Sequence, residues 1–361
     1  MTRGSKERGN PVIREIEISN FRAFSALKLE DCARINLIVG DNGSGKTALC
    51  EAMFLALCSD PASAMKPRAW RGLPEVFQGS ADSISQAVWG AYFHDNDLTK
   101  PVVIQLTGGG PEARRLVISQ SSEISGTVPL DILQAFASGG EAMLFEWTNN
   151  AGKIYHVQAR FTAQGLERRG EIETLPPFHF YSAFSPVAAQ QVADEYSKLS
   201  VRNKHRGFVA AIIEQYPWIR EISVETSAGS PVLYASVEGS QVKLPLADVS
   251  GAINRFAAIF LAMASRPGSL AIVDEIENGL HHSHQKTMWD ALLAFARQMD
   301  SQLFLTTHNE EWLEAVVASP PDELRDVAFW RLQRGSEGKP EIKRFSAETV
   351  QAALETGNEV R

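Results

Sequence analysis

One stretch constrains the fold of this chain more than any other. Gly40-Asp41-Asn42-Gly43-Ser44-Gly45-Lys46-Thr47 sets three glycines and a lysine directly behind the run Arg34-Ile35-Asn36-Leu37-Ile38-Val39. The run reads as a deeply placed strand, and residues 48–57, which contain no breaker, read as a buried helix. Strand, glycine turn and helix in that order are the context that G-x-x-x-x-G-K-[ST] requires, and the octet meets the spacing without a mismatch.

Glycines admit positive φ and let successive backbone N–H groups turn toward one point. A helix start adds free donors and the positive end of its dipole at the same point. The result is a phosphate cradle, so a nucleotide is expected to bind through Asn42, Gly43, Ser44, Gly45, Lys46, Thr47 and Ala48. Lys46 would bring a point charge to the β- and γ-phosphates, and the Thr47 hydroxyl would ligate Mg²⁺.

A second centre lies far downstream. Leu270-Ala271-Ile272-Val273-Asp274-Glu275 is an apolar strand ending in two carboxylates. Asp274 is expected in the Mg²⁺ shell and Glu275 beside the γ-phosphate, where it can orient or deprotonate a water. Two surface charges at a strand end are the plainer alternative, disfavoured beside a lysine cradle. The next strand, Leu303-Phe304-Leu305-Thr306, is followed by Thr307-His308-Asn309. Neighbouring parallel strands bring their carboxyl ends to one rim, where ligands bind. His308 is therefore expected to donate to the γ-phosphate and sense its departure, completing a catalytic set with Lys46 and Glu275.

Around these centres the pattern is that of an α/β protein with an inserted middle. Residues 1–11 read as a loose tail and 12–18 as a partly alternating strand. Short β-like runs at 102–106, 116–119 and 154–157, with Gly- and Ser-rich turns between them, suit an antiparallel subdomain. Helical patterning returns over 186–216, and no heptad array announces a coiled-coil arm. From Gly251 strand and helix alternate as in a parallel sheet: helix 251–264, strand 270–274, helix 284–298, strand 303–306, and a helix from Glu310. Gly335-Ser336-Glu337-Gly338 reads as a hairpin turn, and a last helix covers 347–355. The expected divisions are a tail at 1–11, a lobe with the glycine loop and β subdomain at 12–125, a β/helical insertion at 126–249 and a second lobe at 250–361.

Composition removes several function classes. With 361 residues and a formal net charge of -8, the chain is no diffuse polycation coating nucleic acid. Two local clusters, Lys66, Arg68 and Arg71 with Trp70 among them, and Arg202, Lys204 and Arg206, remain candidates for DNA contact, although a solvated face is the commoner use of such clusters. Cys32, Cys50 and Cys58 are odd in number and lack C-x-x-C spacing, as expected of reduced thiols. No signal peptide and no apolar stretch of about 20 residues appears, so a cytoplasmic protein without a membrane span is expected.

Asn20-Phe21-Arg22-Ala23-Phe24, the glycine octet, V-D-E-I-E-N-G-L-H from Val273 and T-T-H-N from Thr306 together resemble ATP-binding-cassette-type ATPases of the RecF/SMC branch. The closest likeness is to the OLD (overcoming lysogenization defect) family and related stand-alone ATP-binding proteins. It covers the first sixty residues or so and the region from about 250 to 330. The resemblance implies a P-loop NTPase head with a parallel-sheet core, an antiparallel β subdomain and a helical insertion. It also implies ATP with Mg²⁺, and ATP over GTP agrees with Asn203-Lys204-His205-Arg206, which lacks the aspartate of N-K-x-D. Such heads sandwich two nucleotides in a homodimer, each signature segment completing the other's site. The matching segment is 248–255, with Ser250 and Gly251 at a helix start, although a full L-S-G-G-Q is absent; Ser250 also suits a plain N-cap, and the readings are compatible. By the same resemblance Arg22 approaches the nucleotide and residues 277–281 form the D-loop, while no residue answers to the glutamine loop. The implied function is an ATPase switch in DNA maintenance or anti-phage defence. Its effector, such as a TOPRIM-type nuclease, is expected in a separate protein, since no acidic D-x-D cluster follows His308. A slowly hydrolysing nucleotide-gated scaffold is the alternative, and a transporter subunit fits less well.

Overall fold

The computed structural model describes residues 12–73, 79–120, 142–162, 164–176, 178–266, 268–335 and 338–356; the tail expected at 1–11 and the turn residues Ser336 and Glu337 lie outside them. Strands β1 (Ile13–Phe21) and β2 (Phe24–Leu29) form a first hairpin, and β3 (Ile35–Val39) leads into helix α1 (Lys46–Leu57). A meander follows: β4 (Val102–Gly108), β5 (Arg114–Gln120), β6 (Met143–Thr148), β7 (Ile154–Thr162) and β8 (Gly165–Gly170). These five join the first hairpin in a seven-stranded antiparallel sheet of order β2-β1-β4-β5-β6-β7-β8.

After the short strand β9 (His179–Tyr181) come helices α2 (Ala189–Val201) and α3 (His205–Gln215). The helical pattern expected over 186–216 is thus two helices, broken where Asn203 takes a positive φ of 56°. Strands β10 (Ile219–Ser227), β11 (Ser230–Val237) and β12 (Leu244–Pro245) form a separate three-stranded sheet. Then α4 (Gly251–Ser265), β13 (Leu270–Val273), α5 (Gln285–Gln298), β14 (Gln302–Thr307) and α6 (Glu310–Val317) alternate, and β15 (Val327–Arg334) pairs antiparallel with β16 (Pro340–Phe345).

The central sheet has the order β16-β15-β3-β14-β13-β9, and its last five members run parallel. Strands of such a sheet are covered on both faces and read as continuous apolar runs. Every residue of β3, β13 and β14 is buried. Alternate side chains serve opposite faces: Leu37, Val273 and Leu305 pack with α4, α5 and α6, whereas Ile38, Ile272 and Phe304 pack with α1.

Helix α1 therefore lies between the parallel sheet and the antiparallel one, and every residue in it except Thr47 is buried. A helix covered on all sides needs no polar face, which is why Ala48 to Leu57 shows none. Glu51 is the exception in its middle. At 1% exposure its charge must be paired, and Arg22 and Arg71 reach its two carboxylate oxygens at 2.8 and 2.9 Å.

Candidate functional site

Two glycines of the octet are required by close approach. A Cβ on Gly40 (φ +156°) would sit 2.0 Å from the Leu332 carbonyl oxygen, and one on Gly45 (φ +113°) 2.9 Å from the Phe24 ring. The loop closes with Ser44 N–H donating to the Asp41 carbonyl at 3.2 Å. At its end Gly45 offers no side chain to cap α1, so the first-turn N–H donors stay free for a ligand. The Ser44 hydroxyl is buried without a hydrogen-bond partner.

Lys46 folds back over the loop, its Nζ donating to the carbonyl oxygens of Gly40 (2.5 Å) and Asp41 (2.9 Å). Burial lowers its pKa, opposed by the nearby charges of Asp274, Glu275, Glu277 and Asp41. A cavity of about 580 Å³ opens here. Asn42, Gly43, Gly45, Lys46, Thr47 and Ala48 line one side of it, and Arg71, Phe184 and Glu275 complete it.

The sheet order carries the acids to this mouth. Since β3, β14 and β13 are successive neighbours, their carboxyl ends share one rim. Asp274, 1% exposed, accepts the Thr47 hydroxyl at 2.9 Å and the Thr306 hydroxyl at 2.6 Å. Thr306 Oγ1 in turn accepts the Glu275 N–H at 2.8 Å. Glu275 holds a φ of +52°. Burial raises its pKa, Asp274 adds to the rise and His308 opposes it. His308 Nδ1 stands 3.7 Å from Glu275 and 3.2 Å from Glu277, which also accepts the His308 backbone N–H at 3.0 Å.

Thus Lys46, Thr47, Asp274, Glu275 and His308 meet at one rim. Arg22, Ser250 and Gly251 do not join them. Arg22 is turned onto Glu51 and sits over the Tyr92 ring, and it does not line the cavity. Ser250 is the N-cap of α4, its hydroxyl accepting the Ile253 N–H at 3.3 Å, and Gly251 beside it is exposed with open space where a Cβ would be. Neither lines the cavity of its own chain. The stretch from Glu277 to His281 runs close by, with Gly279 against Ala252.

Sequence reasoning missed three neighbours of the site. Arg71 appeared there as one of a basic surface cluster, but Trp70 stacks on Phe180 at 4.4 Å, Arg68 donates to the Ala87 carbonyl, and Arg71 binds buried Glu51 at the cavity wall. The short helix Lys66–Trp70 packs its aromatic residue inward, so the cluster is no free basic face. Phe184, 59% exposed, stands three residues beyond β9. Arg255, in the second turn of α4, is buried against the carboxyl end of β13. A lone arginine in an apolar helix was the available signal for it.

Two family descriptions match the chain: "AAA domain" over residues 15–114, and "AAA domain, putative AbiEii toxin, Type IV TA system" over residues 159–314. An ATP/GTP phosphatase of Helicobacter pylori is 21% identical over 330 residues, covering 84% of this chain and 87% of the relative. The DNA replication and repair protein RecF of Idiomarina loihiensis is 51% identical over 43 residues, 12% of either chain. The DNA double-strand break repair Rad50 ATPase of Methanopyrus kandleri is 32% identical over 107 residues, 29% of this chain and 11% of the relative. An SMC head bound to the C-winged helix domain of ScpA superposes with a TM-score of 0.52 at 13% identity, over 94% of this chain and 99% of that one. Together these likenesses support an ABC-type ATPase of the RecF/SMC branch, on the fold of an SMC head.

ABC-type ATPases use ATP with a divalent metal, and the donors here fit both. The hydroxyl of Thr47 and the carboxylate of Asp274 are the hard oxygen ligands that Mg²⁺ takes, and they already touch. The uncapped helix start and the Ser44 hydroxyl without a partner are donors of the kind that suits an anion.

Proposed function

We propose that this chain binds ATP with Mg²⁺, hydrolyses it, and uses the cycle to pair and release two copies of itself. The observation that carries the reading is the Thr47–Asp274 hydrogen bond, in which groups 227 residues apart meet at 2.9 Å. Lys46 exchanges the Gly40 and Asp41 carbonyls for β- and γ-phosphate oxygens, and Arg71 at the cavity wall is the second cation. Thr47 and Asp274 hold the metal, which when bound offsets charge at the γ-phosphate. Glu275, a stronger base than an exposed carboxylate, orients the attacking water and takes its proton. His308, on the same rim, donates to the γ-phosphate. Arg22 stands one contact behind, held through Glu51.

Ser250 and Gly251 lie off their own chain's cavity at an exposed helix start, which supports a role in trans against the nucleotide of a second copy. The RecF and Rad50 relatives are named for DNA repair, and the second family description names a putative toxin. Both support a switch in DNA maintenance or anti-phage defence, of the OLD type; we take it to act in the cytoplasm, with a separate effector protein such as a TOPRIM-type nuclease. Arg202 and Lys204, between α2 and α3, and Arg206, in the first turn of α3, are exposed and are the candidate DNA contacts.

The test is Glu275→Gln. ATP affinity stays within about twofold of wild type, turnover falls on the order of a hundredfold or more, and ATP-bound dimers accumulate in gel filtration. Wild-type turnover in this variant removes Glu275 from the chemistry. Turnover that stays undetectable in the native chain, with and without DNA, supports the slow scaffold instead.

A further inference from the structure

Arg255 is a cation in an unusual place. It is 7% exposed, inside a largely apolar helix, and among the described residues no carboxylate forms an ion pair with it. A buried charge is costly unless hydrogen bonds replace its water. Here main-chain carbonyls do so: Nη1 donates to Ser182 O at 2.9 Å, and Nη2 donates to Asp274 O at 2.6 Å and Glu275 O at 3.3 Å. Ser182 directly follows β9 and Asp274 directly follows β13, and these strands are parallel neighbours. One guanidinium therefore ties together the carboxyl ends of two strands.

What this does for Glu275 follows from its backbone. A left-handed φ is strained in a non-glycine residue, and Glu275 holds +52°. Such a conformation persists only where neighbours over-determine it. On the amino side Thr306 accepts the Glu275 N–H, and on the carboxyl side Arg255 donates to the Glu275 carbonyl as well as to the carbonyl preceding it. The fork of the guanidinium is what allows one side chain to serve three acceptors; a lysine ammonium is a point donor on a flexible stem.

We propose that Arg255 is the positioning residue of Glu275, fixing from α4 the strained peptide that aims the carboxylate at the attacking water. The proposal rests on the reading of Glu275 as the water-orienting base. Arg255→Lys and Arg255→Met are compared with wild type and with Glu275→Gln, singly and combined, by single-turnover hydrolysis and by calorimetric ATP binding. In Arg255→Lys, ATP affinity stays within about twofold while the hydrolysis rate falls on the order of a hundredfold, the cost of about an ångström of misplacement. Combined with Glu275→Gln, the same substitution causes no further loss, because it acts through that carboxylate.

Wild-type turnover in Arg255→Lys, or losses that multiply in the double variant, overturns the proposal. Equal losses of affinity and rate, or failure of Arg255→Lys to unfold cooperatively, assign the residue to the fold alone and overturn it as well. Where only Arg255→Met fails to fold, Arg255→Lys decides. Full activity of Glu275→Gln by itself is a different result, which sinks the underlying reading of Glu275 and leaves Arg255 without its object.

Discussion

Residues of this site do several jobs at once, and burial decides which. Glu51 shows the conflict most plainly. Burial pushes its carboxyl up to about 7, although Arg22 and Arg71 both pull it down. A carboxyl whose folded pKa lies above its unfolded value of 4.5 takes up protons on folding. The stabilisation is therefore present at low pH and is lost as pH rises from 4.5 to about 7. Glu51→Gln lacks that slope. Denaturant unfolding at pH 5 and pH 8 should find wild type losing stability relative to the glutamine variant over that interval; parallel stabilities would show that the two guanidinium groups keep the carboxylate ionised throughout. Legibility followed the same divide. The meeting of Lys46, Thr47 and Asp274 was readable because motif spacing and strand order announce it. Arg71 and Arg255 were not, since an arginine at a surface and one over buried carbonyls look alike in sequence.

At the scale of elements, the two ends of the parallel sheet differ. The carboxyl ends of β3, β13 and β14 hold the candidate site. At the opposite end of β14 the Gln302 side chain accepts the Ile13 N–H at 2.8 Å and donates to the carbonyls of Ile13 (2.7 Å) and Ala33 (2.9 Å). One amide thus fastens β1, and the turn ahead of β3, onto the sheet. Gln302→Leu leaves buried main-chain groups unpaired, at about 1–3 kcal/mol, and should lower the denaturation midpoint while ATP affinity, set at the other end, stays unchanged. A fall in affinity to match would mean that the ends are coupled. Strands β3, β13 and β14 and helices α1 and α4 were legible because burial on both faces leaves unbroken apolar text. Strands β2, β6, β8 and β10 to β12 were not singled out. The exposed faces of β8 and β10, and the two-residue length of β12, leave them little period to read.

For the whole molecule, the proposed pairing of two copies makes its own prediction. Gly251 is exposed and an added side chain there meets nothing, so the start of α4 is free to receive a ligand from outside the chain. Ser250→Arg should leave the affinity of a single head for ATP unchanged within about twofold while preventing ATP-dependent dimers and the turnover that depends on them. Light scattering with and without ATP reads this directly, and dimers of normal stability would remove the segment from any interface.

By itself the sequence determined the glycine cradle, the paired carboxylates, the apolar strands that carry them and the order in which they occur. These depend on local spacing and on burial, both of which a linear text records. Only the tertiary structure decided that β14 lies between β3 and β13, that Thr47 therefore touches Asp274, that Arg71 and not Arg22 lines the cavity, and that a helix arginine grips the peptide of Glu275. Those are contacts between groups scores or hundreds of residues apart. They arise when two cores close on opposite faces of one sheet, and no local signal encodes which distant partners then come within reach.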